Sequence, residues 1–206
     1  MRTLFLTSDG LNEETEKLFW KHIRKEPINA KAILVPSAAL GNDGAREGII
    51  VCVERLLNMG IPMENIFIYH LGYLLSDGYN RTYSAYVNEI PAQFRLLSVD
   101  ELTQHDMIAF CGGNAQTLLN EINRTGFAKP LKEAIEGGLV YLGISAGSMI
   151  AAGNFEDGLD YLKNPLIPHA EKGSPCGEVP ENSRIDLADG QIVLIQGDRK
   201  EIIEHC

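Results

Sequence analysis

Short continuous apolar runs alternate along the chain with segments whose apolar residues recur at helical spacing. The segment 46–59, for example, has apolar residues three and four positions apart and ends before Gly60, a common residue after helix C-termini. Because strands buried on both faces are apolar at every position, such runs between helices predict a mostly parallel sheet flanked by helices. The predicted strands are residues 4–7, 32–35, 66–69, 107–110 and 139–142, and the sequence therefore predicts a three-layer α/β fold.

A different pattern predicts a hairpin near the C-terminus. Residues 184–187 and 192–195 are two short strand-like segments that flank Ala188-Asp189-Gly190-Gln191. Asp-Gly is favoured in tight turns between antiparallel strands, because glycine adopts positive φ without steric cost. No internal repeat, low-complexity tract or linker interrupts the chain, so residues 1–206 are predicted to form a single domain.

Composition narrows the classes of function. The 206 residues are 45% hydrophobic and carry a formal net charge of −10 without a run of lysine or arginine, so neither nucleic acid nor an anionic membrane is expected as a partner. The chain has no long apolar stretch and no basic-then-apolar leader, which predicts a cytoplasmic protein without a membrane segment. The four cysteines are far apart and include no C-x-x-C pair, so free thiols are expected rather than disulfides or a metal site.

The segment 143–147 carries the strongest chemical motif. It has the pattern G-x-S-x-G, follows an apolar run and precedes a segment that can start a helix. A strand–elbow–helix turn presents the serine on a tight bend and needs small neighbours, and the N-terminus of the following helix offers free N–H groups to an oxyanion. Ser145 is therefore predicted to be a nucleophile, and a glycine-rich turn without catalytic function is the alternative.

A pair of glycines follows the predicted strand at 107–110. Gly112 and Gly113 stand directly before a predicted helix, and without side chains they let the backbone approach a ligand. A serine that transfers acyl groups needs hydrogen-bond donors for the oxyanion. We expect these from the N–H groups of Gly113 and Ala146, with Gly112 and Asn114 contacting the substrate. An ordinary tight turn between strand and helix is the alternative.

A serine nucleophile needs a base, and His169 is the predicted one. It follows Pro168 after an apolar run downstream of Ser145, which is compatible with a strand end near the site. A packed structural histidine is the alternative. The acid that orients the base stays open at this point, because triads are defined by geometry and not by order along the chain. The candidate acids are Asp157, Asp160, Glu171, Glu178 and Glu181.

Several blocks along the chain resemble the peptidase E family, the aspartyl-dipeptidase family of serine peptidases. They are CGGNAQTLL at 111–119, LGISAGS at 142–148, DGL and PH within 157–169, and PENS and DGQ within 180–191. The resemblance implies a fold like that of class I glutamine amidotransferases and a triad of Ser145, His169 and Glu181. Asp160, between the serine and the histidine, and Glu171, in a His-x-Glu arrangement, are the alternative acids. No metal or organic cofactor is implied.

Together these observations predict a serine-type peptidase that cleaves a small peptide or amide. A non-catalytic small-molecule-binding protein on the same scaffold is one alternative, and an esterase or amidase with the same triad is another. The oligomeric state stays open, a homodimer included.

The chain departs from the family pattern at three places. The family's usual Thr-Phe after Gly-Gly-Asn is Ala115-Gln116 in this chain. Between residues 73 and 98 it is longer, with an aromatic-rich stretch, and between His169 and Glu181 it is shorter. The resemblance implies that the basic residue for a substrate's aspartyl side chain falls in the missing segment. The remaining cations, Lys172, Arg81 and Arg184, are not placed by a motif, so we expect activity on Asp-X dipeptides to be no higher than on neutral dipeptides.

Overall fold

The computed structural model describes residues 1–40, 45–76 and 90–204. Within these ranges the strands are β1 (Thr3–Thr7), β2 (Ala32–Val35), β3 (Ile66–Ile68), β4 (Met107–Phe110), β5 (Val140–Ile144), β6 (Leu166–Pro168), β7 (Gly177–Glu178), β8 (Ile185–Leu187), β9 (Ile192–Gln196) and β10 (Arg199–Ile203). The α-helices are α1 (Glu13–Ile23), α2 (Ala45–Asn58), α3 (Val99–Leu102), α4 (Ala115–Thr125), α5 (Ala128–Glu136) and α6 (Ala146–Ala151). Short 3₁₀ turns cover Pro27–Asn29, Ser37–Ala39, Met63–Asn65, Leu71–Tyr73 and Ala92–Phe94.

Eight of these strands form one sheet in the order β3-β2-β4-β5-β1-β9-β10-β7. The strands from β3 to β1 are parallel, and β9, β10 and β7 extend the sheet in antiparallel pairs. β6 and β8 pair in parallel as a separate two-stranded sheet. The prediction of a mostly parallel sheet is confirmed.

Side chains alternate between the two faces of the large sheet and build a hydrophobic core on each. On β1, Leu4 and Leu6 belong to a cluster that includes residues of α4, α5 and α6, whereas Phe5 belongs to a cluster with residues of α1 and α2. All three side chains are fully buried. Burial on both faces explains why the strand is apolar at successive positions, and the predicted three-layer arrangement is confirmed.

The C-terminal hairpin joins different strands from those predicted. β9 and β10 form the antiparallel pair and are connected at Gly197-Asp198, whereas β8 pairs with β6. The reason is that β9 is hydrogen-bonded to β1 on one side and to β10 on the other, so it has no edge left for β8. The turn at Asp189-Gly190 therefore connects strands of two different sheets.

The fold gathers several strand ends at one edge of the large sheet. The parallel strands β1, β4 and β5 end directly before Ser8, Cys111 and Ser145. In open α/β sheets, ligands bind outside the carboxyl ends of the strands, so this edge is the expected place for a site.

Two further sequence expectations concern membranes and thiols. Among the described helices, none has the length and apolar character that crossing a bilayer requires. Cys52 and Cys111 are buried free thiols, as predicted, the thiol of Cys176 donates to Glu204, and Cys206 lies outside the described residues.

Candidate active site

Ser145 lies at the bend between β5 and α6. Its backbone has φ 50° and ψ −102°, a combination that residues other than glycine rarely adopt and that costs of order 1–3 kcal/mol. The Ser145 N–H donates to the Thr7 carbonyl at 3.0 Å, and the Ser148 hydroxyl donates to the same carbonyl at 2.7 Å. These bonds to the neighbouring strand β1 hold the strained bend, so the elbow expected from the G-x-S-x-G motif is present.

Close packing explains both glycines of the motif. A Cβ atom on Gly143 would lie 2.8 Å from the carbonyl carbon of Gly147. A Cβ atom on Gly147 would lie 2.7 Å from Phe110 Cβ and 2.8 Å from the Phe110 carbonyl oxygen. Real side chains do not approach backbone atoms this closely, so any larger residue would push the elbow away from β4.

We expect Gly147→Ala to lower the free energy of unfolding by about 2 kcal/mol, because the new methyl group overpacks against the backbone of Phe110. Urea denaturation followed by circular dichroism measures this change. Gly48→Ala is the matched control: a Cβ atom there meets nothing within 4 Å, and alanine in a helix is favoured over glycine by up to about 1 kcal/mol. Equal urea midpoints for Gly147→Ala and the wild type would contradict the packing argument.

His169 follows β6 and places its ring beside the elbow. Its Nε2 atom lies 3.1 Å from Ser145 Oγ. The residue adopts φ 58°, in the left-handed region that side chains disfavour, and its backbone N–H donates to Ser8 Oγ at 2.7 Å. The side chain is 51% exposed, so solvent reaches the ring.

The other ring nitrogen of His169 contacts Asp189. The Asp189 Oδ1 atom lies 2.9 Å from His169 Nδ1 and accepts a hydrogen bond from the Ser8 hydroxyl at 2.6 Å. The Ser8 bond, and after it the His169 bond, lower the pKa of Asp189 below its ordinary value, so the carboxylate is ionised at neutral pH. An ionised carboxylate only accepts hydrogen bonds, so Nδ1 carries the ring proton and Nε2 accepts from the Ser145 hydroxyl.

The carboxylates predicted as the acid lie elsewhere, and none contacts His169 among the described residues. Glu181 is in the turn before β8, and Asn164 fixes that turn with two hydrogen bonds of 2.7 Å to backbone carbonyls. Asp160 forms an ion pair with a nearby lysine, and Glu171 is exposed. The carboxylate that contacts the histidine is therefore Asp189, which is not among the five candidate acids named from the sequence.

Strand pairing explains this difference. β6 and β8 are parallel, with Pro168 opposite Leu187, so residues that follow the two strands meet at the same end. His169 and Asp189 both follow their strands. Glu181 precedes β8 and is consequently directed to the opposite end of the two-stranded sheet.

Gly112 and Gly113 line the same cavity as Ser145, and Ala146 directly follows the serine. A Cβ atom on Gly112 would lie 3.5 Å from Ser145 Cβ, which places this glycine against the serine. Gly113 has φ 136°, and a Cβ atom there would lie 2.4 Å from the Ala38 carbonyl oxygen, so only glycine fits. Within the described ranges the N–H groups of Gly113 and Ala146 have no backbone acceptor. Both amides can therefore donate to a ligand.

Asn114, predicted to contact substrate, uses its side-chain oxygen and its backbone N–H in local hydrogen bonds. Its side chain accepts from the Thr117 N–H at 2.9 Å, which caps α4, and its own N–H donates to the Ala38 carbonyl at 2.8 Å. Capping satisfies a backbone donor that the first turn of a helix leaves without a partner.

A cavity of about 220 Å³ opens beside Ser145 and His169, and Arg55 of α2 lines it. The half-buried Arg55 donates to the carbonyl of Asp9, and no carboxylate of the described residues pairs with it. Arg55 also contributes to lowering the pKa of Asp189, after the hydrogen bonds from Ser8 and His169. The site therefore contains a cation that was not predicted from the sequence.

The cations considered from the sequence lie away from this cavity or outside the described residues. Arg184 pairs with Asp186 at 2.9 Å, and Lys172 is exposed and does not line the cavity. Arg81 falls outside the described ranges. In the part of the chain that is described, no group of three or more histidine, cysteine or acidic side chains could hold a metal ion.

Comparisons with known proteins agree with the fold and the motifs. The model of peptidase family S51 matches residues 87–165, which include Ser145 but end before His169. The uncharacterised peptidase PM1590 of Pasteurella multocida is 38% identical over 81 residues, covering 38% of this chain and 37% of the relative. Peptidase E of Streptomyces coelicolor is 43% identical over 51 residues, covering 25% of this chain and 21% of the relative. The matched segments thus span well under half of these curated relatives.

Solved structures match over the whole chain. A peptidase E protein from Listeria monocytogenes has a TM-score of 0.62 at 20% identity and covers all of both chains. A peptidase from an acI-B1 actinobacterium has a TM-score of 0.63 at 15% identity, covering all of this chain and 88% of the other. Residues 87–165 therefore match peptidase family S51, and the whole chain has the predicted class I glutamine amidotransferase-like fold, which it shares with these two peptidase structures.

Proposed function

We propose that this protein is a serine hydrolase of the peptidase type, acting as a single domain on a small peptide or amide. The observation that carries the proposal is a continuous line of hydrogen bonds. Ser145 Oγ lies 3.1 Å from His169 Nε2, and His169 Nδ1 lies 2.9 Å from Asp189 Oδ1. Such an arrangement can activate a serine nucleophile, and it supports Asp189 in the role that the family resemblance gives to Glu181.

In the first half-reaction, Ser145 Oγ attacks the carbonyl carbon of the scissile amide while His169 Nε2 takes the hydroxyl proton. The resulting oxyanion accepts hydrogen bonds from the N–H groups of Gly113 and Ala146, which stabilise charge that is absent from the ground state. Asp189 stabilises the imidazolium that forms. The C–N bond then breaks, His169 gives its proton to the leaving amine, and an acyl-enzyme ester on Ser145 remains.

In the second half-reaction, water replaces the amine. His169 Nε2 takes a proton from the water molecule as its oxygen attacks the ester carbonyl, and the same two N–H groups hold the second oxyanion. Collapse of this intermediate breaks the bond to Ser145 Oγ, and His169 returns the proton to the serine. The products are a carboxylic acid and the regenerated enzyme.

A hydrolysis panel separates this proposal from its alternatives. Wild-type protein and Ser145→Ala are incubated with dipeptides and with p-nitrophenyl esters, and the release of amino acid or nitrophenol is measured. Amide hydrolysis that the variant lacks supports a peptidase. Hydrolysis confined to esters indicates an esterase, and no hydrolysis of either class by the wild type indicates a non-catalytic binding protein.

We further propose that the substrate carries a carboxylate close to the scissile carbonyl. Arg55 lines the same cavity as Ser145, and arginine binds carboxylates through paired N–H donors in a fixed geometry. Arg55 is half-buried, so water screens its charge less than that of a fully exposed cation. We expected no preference for Asp-X dipeptides because no sequence motif places a cation at the site. Arg55 is such a cation, and its position favours a substrate carboxylate.

We expect kcat/KM for Asp-X dipeptides to exceed that for the matched Asn-X dipeptides by at least tenfold, about 1.4 kcal/mol. In Arg55→Gln this ratio should fall to near one, because the variant retains hydrogen-bonding groups but loses the charge. Lys172→Gln is the control and should keep the wild-type ratio. A wild-type ratio below about twofold would refute the carboxylate-binding role of Arg55 without affecting the assignment of Ser145.

A further inference from the structure

Ser8 forms hydrogen bonds with both His169 and Asp189. It follows β1, the strand that pairs with β5 and β9 inside the large sheet, and it is 0% exposed. Its Oγ atom lies 2.6 Å from Asp189 Oδ1, 2.7 Å from the backbone N of His169 and 3.5 Å from His169 Nδ1. One buried hydroxyl thus contacts both the base and the acid.

The chemistry of the groups fixes the direction of each bond. A hydroxyl has one proton to donate and two lone pairs that accept. The Asp189 carboxylate can only accept and the His169 backbone N–H can only donate, so the Ser8 proton points to Asp189 and a lone pair receives the backbone N–H. Both short contacts are satisfied together, and neither competes with the Asp189–Nδ1 hydrogen bond.

The residues that Ser8 contacts, His169 and Asp189, are not held in place by burial. Their side chains are 51% and 59% exposed, and His169 adopts a left-handed backbone with φ 58°. Both follow strands of the small β6–β8 sheet, whereas Ser145 belongs to the large sheet. Ser8 is therefore a hydrogen-bonding link between the large sheet and the two loops that must meet Ser145.

We propose that Ser8 is a positioning residue that holds Asp189 on His169 Nδ1 and thereby selects the tautomer with the proton on Nδ1. Only this tautomer leaves Nε2 able to accept the proton of Ser145. The catalytic consequence rests on the proposed function, but the tautomer is a property of the resting protein and is measured without any substrate.

The tautomer is read from two-bond ¹H–¹⁵N correlation spectra of histidine-labelled protein, recorded at a pH where the ring is neutral. The signals of His169 are identified by their absence in His169→Gln. Wild-type protein should show mainly the Nδ1–H tautomer. In Ser8→Ala the fraction of this tautomer should fall at least about twofold, because free imidazole side chains favour the proton on Nε2.

The reactivity of Ser145 towards a covalent probe is the second quantity to measure. The rate of covalent labelling by a fluorophosphonate should fall about 10- to 100-fold in Ser8→Ala, since small displacements of catalytic groups have effects of this size. Ser8→Thr keeps the hydroxyl and should restore both the tautomer and most of the labelling rate. Ser8→Cys, which has nearly the same volume but is a weak donor, should resemble Ser8→Ala and serves if the alanine variant does not fold.

Ser37→Ala is the matched structural control. Ser37 is also 0% exposed and accepts a backbone N–H, that of Leu71 at 2.8 Å, but has no bond to the triad. The Ser37→Ala substitution should lower the melting temperature without changing the His169 tautomer. A wild-type tautomer in Ser8→Ala or Ser8→Cys would overturn the positioning role, even where labelling falls. A changed tautomer in a protein whose wild type does not label would support the role of Ser8 while refuting the hydrolase function.

Discussion

Ser145→Ala is expected to lower kcat/KM for any substrate of this protein by at least about 10⁴-fold, and His169→Ala by nearly as much. The first change removes the attacking oxygen, and the second removes the group that takes its proton. Ser145 Oγ and His169 Nε2 are 3.1 Å apart, so the two residues act as one unit. Steady-state kinetics on the best substrate of the dipeptide panel measures both losses.

The double variant Ser145→Ala/His169→Ala tests whether the two residues are coupled. Removal of a unit costs no more than removal of either member, so the double variant should be about as active as Ser145→Ala alone. Ser183→Ala, which changes a serine outside the candidate site, should keep wild-type kinetics. If the loss in the double variant equals the product of the two single losses, the residues do not act jointly. If Ser145→Ala retains more than about a tenth of wild-type activity, Ser145 is not the nucleophile.

Asp189→Asn is expected to lower kcat by about 10²- to 10⁴-fold. The amide can donate to His169 Nδ1, which favours the tautomer that cannot accept the serine proton. The lower part of this range is expected, because Asp189 is 59% exposed and water partly replaces its contact. A substitution that preserves size and removes charge keeps the cost in folding small.

The same experiment decides between Asp189 and the acids suggested by the family resemblance. Glu181→Gln, Asp160→Asn and Glu171→Gln should each keep kcat within about threefold of the wild type, because none of these side chains contacts His169 among the described residues. The variants are compared at one pH with the same substrate. A larger loss in any of the three than in Asp189→Asn would return the role of the acid to that residue.

Local sequence patterns were sufficient to predict the parallel sheet with its helices and the bend at Ser145. Continuous apolar runs predicted strands buried on both faces, and their alternation with helices predicted the parallel sheet. The G-x-S-x-G motif predicted the bend at Ser145, because packing between neighbouring elements of the fold leaves no room for side chains at Gly143 and Gly147. Each of these patterns is contained in a short segment of the sequence, although the packing that requires Gly147 involves the distant Phe110.

The contact between Asp189 and His169 was not predicted, because it depends on a strand pairing that is distant in sequence. Asp189-Gly190 has the composition of a hairpin turn, and this local preference favoured pairing between the flanking segments. In the structure β8 pairs with β6, which brings Asp189 to His169. Two residues that each follow a short apolar segment after the nucleophile are the pattern that could have indicated this arrangement.

Arg55 and Ser8 were missed for related reasons. Arg55 lies on a helix whose periodicity identifies the buried face but not which end approaches the sheet edge. Ser8 follows the first strand, and its role requires both loops of the small β6–β8 sheet to reach the carboxyl end of β1. Tertiary contacts between the beginning and the end of the chain supply this information, and no local pattern contains it.

The central claim, that Ser145 is an activated nucleophile, is tested most directly by intact-protein mass spectrometry after incubation with a fluorophosphonate. We expect one adduct per chain on the wild type, located on Ser145 by peptide mapping, no adduct on Ser145→Ala and a strongly reduced rate on His169→Ala. No adduct on the wild type, or an adduct on a residue other than Ser145, would contradict the claim.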